Sequence, residues 1–200
     1  MAGVPAPTER SPSELLPPVR VVVLVEGESD RVAVETLAQR RGRDLTAERV
    51  QVLAMGGITQ LPKRVAEVTA RGVAVVGLYD AAEERWVRRA LAVPGHRPGP
   101  EPAELAARGF HGCRDDLEDE LIRALGVTVC VSLVETAGDL RALRHLAGMP
   151  AHRGRPAEAV LHRFLGAGSG RKIRYARLLT AALDLEHVPA PLDAVLAATC

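Results

Sequence analysis

The chain has 200 residues and a formal net charge of +1, from 26 Lys and Arg against 25 Asp and Glu. That length suits one domain, or one domain with a small appendage, and the balanced charge argues against a strongly basic nucleic-acid coat while leaving room for a local basic patch. Cys113, Cys130 and Cys200 form no C-x-x-C pair, which argues against a disulfide framework or a zinc site and suits reduced thiols in a cytoplasmic protein. No apolar run reaches membrane-spanning length, so no membrane partner is expected.

Residues 1–18 are rich in proline and polar residues and read as a disordered tail. Val19 to Val25 is a short, continuous, β-branched run, the pattern of a fully buried strand. Ser29 is placed to cap the helix that follows, with Val32, Val34, Leu37 and Ala38 on its inner face and Gly42 at its end. Glu48 to Met55 reads as a second strand, Gly56 and Gly57 as a turn, and Ile58 to Arg71 as an amphipathic helix closed by Gly72. Val73 to Asp80 is a third buried strand, Ala81 to Leu91 a helix, and Pro94 to Pro102 a loop.

The segment ending at Cys113 suggests a short fourth strand, and Asp115 to Leu125 a helix. Gly126 to Gly138 has a strand-like composition but also fits a buried helix. Helices are expected over 139–147, 156–165 and 171–183, with a last short one after Pro189 and Pro191. The alternation of strand and helix predicts an α/β fold with a mainly parallel central sheet flanked by helices at residues 19–125, and a helical C-terminal extension over 126–200 packed on it.

Ligands of such sheets bind outside the carboxyl ends of the strands. Glu26 leaves the first strand there and Asp80 ends the third. Carboxylates held close raise one another's pKa or recruit a cation. An oxygen-only set without a His or Cys cluster suits a hard ion, Mg²⁺ or Mn²⁺, and so phosphodiester chemistry. A blander reading applies to Glu28, Asp30, Asp115 and Asp116, because acids at a helix start stabilise its dipole. Glu26 and Asp80 escape it, since both sit at strand exits.

The run VLVEGESD, a Gly-Gly pair about thirty residues later and VVGLYD at the third strand together resemble the TOPRIM domain, and more closely its form in the overcoming-lysogenization-defect (OLD) nucleases. The resemblance implies a Rossmann-like TOPRIM fold and Mg²⁺- or Mn²⁺-dependent cleavage of DNA by an activated water. It implies metal ligands at Glu26, Asp30, Asp80, Asp116 and Glu118, and catalytic roles for Glu26, Asp80 and Lys172. Lys172 would stabilise charge on the scissile phosphate. Arg153, Arg155, Arg163, Arg171, Arg174 and Arg177 would form a face for the nucleic-acid backbone, although each singly also suits a solvated helix surface.

Ala82 departs from the family's D-x-D, so Glu83 or Glu84 would have to supply the missing acid. OLD nucleases pair this domain with an ATPase, but no G-x-x-x-x-G-K-[ST] occurs here, so an ATPase partner would be a separate chain. Two alternatives follow from the same residues. One is a catalytically degenerate TOPRIM-like module that binds nucleic acid or a partner protein. The other is a receiver-type phosphoacceptor domain with Asp80 as acceptor.

Overall fold

A computed structural model of the chain describes residues 18–92 and 101–200. The expected tail, apart from Pro18, and most of the expected Pro94–Pro102 loop lie outside the described residues. Four strands form one parallel sheet: β1 (Val21–Val25), β2 (Val50–Ala54), β3 (Ala74–Tyr79) and β4 (Phe110–Gly112). Their spatial order is β2-β1-β3-β4. Val25 pairs with Ala54 on one side, and Leu24 with Gly77 on the other.

β1 is buried along its whole length and serves two cores. Val21, Val23 and Val25 face one hydrophobic cluster, Val22 and Leu24 the other. That is the period-two alternation of a strand covered on both faces. One cover consists of α2 (Leu61–Thr69), α3 (Glu84–Ala90) and α4 (Pro102–Ala107), through Leu61, Val68, Val87 and Leu105. Gly77 is needed where β3 meets β4, because a Cβ there would stand 2.7 Å from the Phe110 ring.

The opposite cover begins with α1 (Glu28–Arg40) and continues through α5 (Leu117–Thr136), α6 (Leu140–Gly148), α7 (Ala157–Leu165), α8 (Ser169–Ala182) and α9 (Ala190–Ala197). The residues beyond 125 therefore share one core with β1 and α1, including Cys130, Phe164, Tyr175 and Leu179. The ambiguous stretch 126–138 is helical as far as Thr136. It continues α5 past a kink at Gly126, whose φ of 75° suits glycine.

α8 lies against α1 and runs in the same direction. At their C-terminal ends, Arg40 donates to the carbonyls of Thr180 and Leu183, at 3.2 and 2.5 Å. At their N-terminal ends, Lys172 comes to the Asp30 carboxylate. The helix pairing is thus what carries Lys172 to the carboxyl edge of the sheet. No described helix is long and apolar enough to cross a membrane.

Candidate metal centre

β1 lies between β2 and β3: the chain runs from β1 out to β2 on one side and returns to β3 on the other. The carboxyl ends of β1 and β3 therefore flank the topological switch point, the usual ligand crevice of such sheets. Glu26 extends β1 into that crevice and Asp80 extends β3. The loop after β2 closes in from the other side, with the Gly56 N–H donating to the Glu26 carbonyl at 3.0 Å. Gly56 and Gly57 both have positive φ, which permits the tight reversal.

After Asp80 the chain winds into a 3₁₀ turn, Ala81–Glu83, before α3 begins. The Glu83 N–H donates to the Asp80 carbonyl at 2.8 Å. In a 3₁₀ turn side chains three apart eclipse one another, so Glu83 stands over Asp80 and Ala82 is left exposed. One oxygen each from Glu26, Asp80 and Glu83 lies within 4.8 Å of the others. Glu84 turns elsewhere and pairs with Arg88 at 3.3 Å. The spacing at this site is therefore D-x-x-E rather than D-x-D.

Burial, then the neighbouring Asp30, Asp116 and Glu118, push Asp80 up to about 7. Burial, then Glu26, push Glu83 up to about 8. Glu83 Oε2 is buried without a hydrogen-bond partner among the described residues. Three facing carboxylates and an orphaned oxygen form a hard, anionic donor set, and that chemistry fits Mg²⁺ or Mn²⁺. A bound divalent cation would replace the protons these acids retain near neutrality.

The other expected acids sit differently. Asp30 accepts from the Gly27 N–H at 2.9 Å, so the cap of α1 is built by Gly27 and Asp30. Ser29, expected to be the cap, is instead buried within the first turn, because the Asp30 carboxylate reaches the Gly27 N–H from the third helical position. Asp116 caps α5 by accepting from the Asp119 N–H at 2.8 Å, and its second oxygen meets His162 Nε2 at 2.6 Å. Glu118, 5% exposed, meets Lys172 Nζ at 3.3 Å. Burial raises the Glu118 carboxyl while Lys172 opposes the rise.

Lys172 borders two cavities. One, of about 400 Å³, is lined by Glu26, Asp30, Gly56 and Gly57; the other, of about 240 Å³, by Asp116, Glu118, His162 and Arg163. A further cavity of about 460 Å³ at Arg43, Leu45 and Val50 lies at the amino end of β2, remote from these acids.

Among the arginines, Arg163 is exposed and lines the smaller cavity. Arg171 stacks over Phe164 at 4.4 Å, one residue from Lys172. Arg174 is engaged elsewhere, with Asp139 at 2.8 Å and the Ala137 carbonyl at 3.0 Å. Arg153, Arg155 and Arg177 are exposed. His162 is the residue that sequence reading missed. It lies 46 positions from Asp116, and only the packing of α7 on α5 brings them together.

Residues 19–81 match the family described as overcoming lysogenization defect protein-like, TOPRIM domain. The C-terminal region of the Burkholderia pseudomallei OLD protein superposes with a TM-score of 0.65 at 21% identity, over 90% of this chain and 96% of that one. The C-terminal region of the Xanthomonas campestris pv. campestris OLD protein gives 0.65 at 22% identity, over 90% and 94%. At such identities the likeness is one of fold. No curated protein matches the chain.

Proposed function

We propose that this chain, whose residues 19–81 form an OLD-like TOPRIM domain, cleaves DNA phosphodiesters with the help of Mg²⁺ or Mn²⁺. The observation that carries the reading is the facing of Glu26, Asp80 and Glu83 at the switch point, with Glu83 Oε2 left without a partner. These three residues would hold the cation. When bound, it supplies Lewis acidity to a phosphate oxygen and makes water more acidic.

The chain's own residues supply the rest. Lys172, half-buried, keeps its charge because Glu118 and Asp30 offset the cost of its burial. Its ammonium adjoins both cavities and would stabilise negative charge building on the phosphate or the leaving oxygen. Arg163 and Arg171, beside it, would contact the DNA backbone, and the exposed Arg153, Arg155 and Arg177 would extend that face. Arg174 has its own structural partners and is set aside from this face. An ATPase acting with this module would couple to it as a partner.

The test is nicking of supercoiled plasmid in Mn²⁺ by highly purified protein. The wild type is expected to nick, and Glu26→Gln and Glu83→Gln are not. Equal activity in all three would contradict the proposal.

A further inference from the structure

On α1, α2 and α5, arginines find a counter-charge on their own helix. Arg31 pairs with Glu28 and Glu35, Arg64 with Glu67, and Arg123 with Asp119 and Glu120. Residues 140–157, which hold α6 and the turn leading to α7, are different. They contain four arginines, two histidines and no aspartate or glutamate. Arg141, Arg144, Arg153 and Arg155 are exposed, and among the described residues none forms an ion pair. Arg153 reaches only the Gly148 carbonyl, at 3.5 Å. Arg141 and Arg144 stand three apart on α6, where like charges repel rather than support the helix.

This basic surface is joined to the candidate metal centre by α7. Arg144, His152 and Arg155 line a cavity of about 420 Å³, and the acid on its wall is Glu135. Ala157, the first residue of α7, lines the same cavity, whereas His162 and Arg163 near its end line the cavity beside Lys172. The nine residues of α7 span about 13 Å at a helical rise of about 1.5 Å each. That is the length of a few nucleotides, at about 3.4 Å of rise per step.

We propose that Arg141, Arg144, Arg153 and Arg155 form one surface that holds the DNA backbone a few nucleotides away from the phosphate facing Lys172. The inference rests on the reading of DNA as substrate. It goes beyond it by adding Arg141 and Arg144 to the contact surface and by giving that surface its own task. It anchors the flank of the substrate and takes no part in the chemistry. Guanidiniums without protein partners are free to pair with phosphates and to release the counterions held there, which is the sequence-independent part of DNA affinity. An acidic peptide would meet the same guanidiniums. The nucleic-acid strand is favoured because the basic groups continue along α7 to His162, Arg163 and Lys172, where the scissile phosphate is placed.

Binding of a fluorescently labelled duplex is measured by anisotropy over a range of salt concentrations, with Ca²⁺ in place of Mn²⁺. In Arg144→Gln/Arg155→Gln the slope of log affinity against log salt should fall by about two, one for each lost phosphate contact, with the loss similar for unrelated sequences. Arg141→Gln/Arg153→Gln should behave alike. Arg71→Gln/Arg89→Gln removes the same charge from exposed positions outside this surface and should leave the slope unchanged. An unchanged slope in both surface variants overturns the proposal and leaves this face to an acidic partner protein. An equal fall in the Arg71/Arg89 variant also overturns it, since net charge alone would then account for the effect. A wild type that binds with the expected slopes but does not nick plasmid in Mn²⁺ would sustain this proposal while defeating the cleavage reading. A wild type that does not bind DNA would defeat both.

Discussion

Among the described residues Glu26, Asp80 and Glu83 face one another with no ion-pair partner, whereas Asp30, Asp116 and Glu118, which line two cavities beside Lys172, each have a partner. Both sets are carboxylates near strand and helix ends, and composition does not tell them apart. What differs is what the backbone has already supplied. Asp30 and Asp116 sit where helix N–H groups need acceptors, and Glu118 sits where α8 delivers a lysine. Glu26 and Asp80 leave strands, where no such donor waits among the described residues, and the 3₁₀ turn adds Glu83 to them. An acid cluster is better judged by its unmet bonds than by its charge count.

The contrast is broken most severely at the unpartnered set. Glu26→Gln and Glu83→Gln are expected to lower Mn²⁺ affinity and plasmid nicking by roughly 100-fold or more, beyond the range for losing an outer-shell partner. Glu84→Gln, one residue on and paired with Arg88, should leave both nearly unchanged. Calorimetric Mn²⁺ titration and a nicking assay read the difference; equal losses at 83 and 84 would remove the distinction.

The geometry of the 3₁₀ turn supplies a finer test. Ala82 is exposed, so an acid placed there should not reach the cluster. The double variant Ala82→Asp/Glu83→Ala restores the D-x-D spacing in sequence, and is expected to remain without Mn²⁺ binding. Recovery to near wild-type affinity would mean that the turn rearranges and that its eclipsing has no role.

A third prediction concerns pH. Asp80 and Glu83 are raised to about 7 and about 8, so the metal-free folded state retains protons that the unfolded chain has lost. Stability from these groups is present below their ordinary pKa values near 4 and is lost as pH rises toward 8. In EDTA, the Tm should therefore fall between pH 5 and pH 8, and Mn²⁺ should restore more of it at pH 8. Asp80→Asn should flatten the fall, by about 2–4 °C for each kcal/mol of relieved repulsion. A Tm that rises with pH in EDTA, with no change in Asp80→Asn, would contradict the electrostatic picture.

The smallest effect is expected on the satisfied side. His162→Ala removes a contact whose imidazole is 43% exposed, and leaves Asp116 its helix cap. The cost to stability should stay within roughly 1 kcal/mol, as for other half-exposed pairs, with Mn²⁺ stoichiometry unchanged in denaturant and titration measurements. A changed stoichiometry would bring Asp116 into the metal site.

Much of this was legible in the sequence where burial writes a pattern. The apolar runs ending at Glu26 and Asp80 mark the two central strands and place both acids at the sheet's carboxyl edge. The Gly56–Gly57 turn was equally plain. Where two local rules competed, the sequence alone was ambiguous. Ser29 and Asp30 both suit a helix start, and the side chain that reaches the Gly27 N–H decides between them. Glu83 and Glu84 cannot be separated without knowing that the chain leaves β3 as a 3₁₀ turn rather than directly as an α-helix. Residues 126–138 carry β-branched side chains, yet are helical as far as Thr136, with Cys130 and Val134 buried in the core shared with α7 and α8. Pairings across long sequence distance, His162 with Asp116 and Lys172 with Glu118, belong to helix packing and leave no local signature.

A crystal soaked in Mn²⁺ and measured for anomalous scattering addresses the central claim directly. A peak is expected within about 2.0–2.3 Å of carboxylate oxygens of Glu26, Asp80 and Glu83. No peak near these three residues would contradict it.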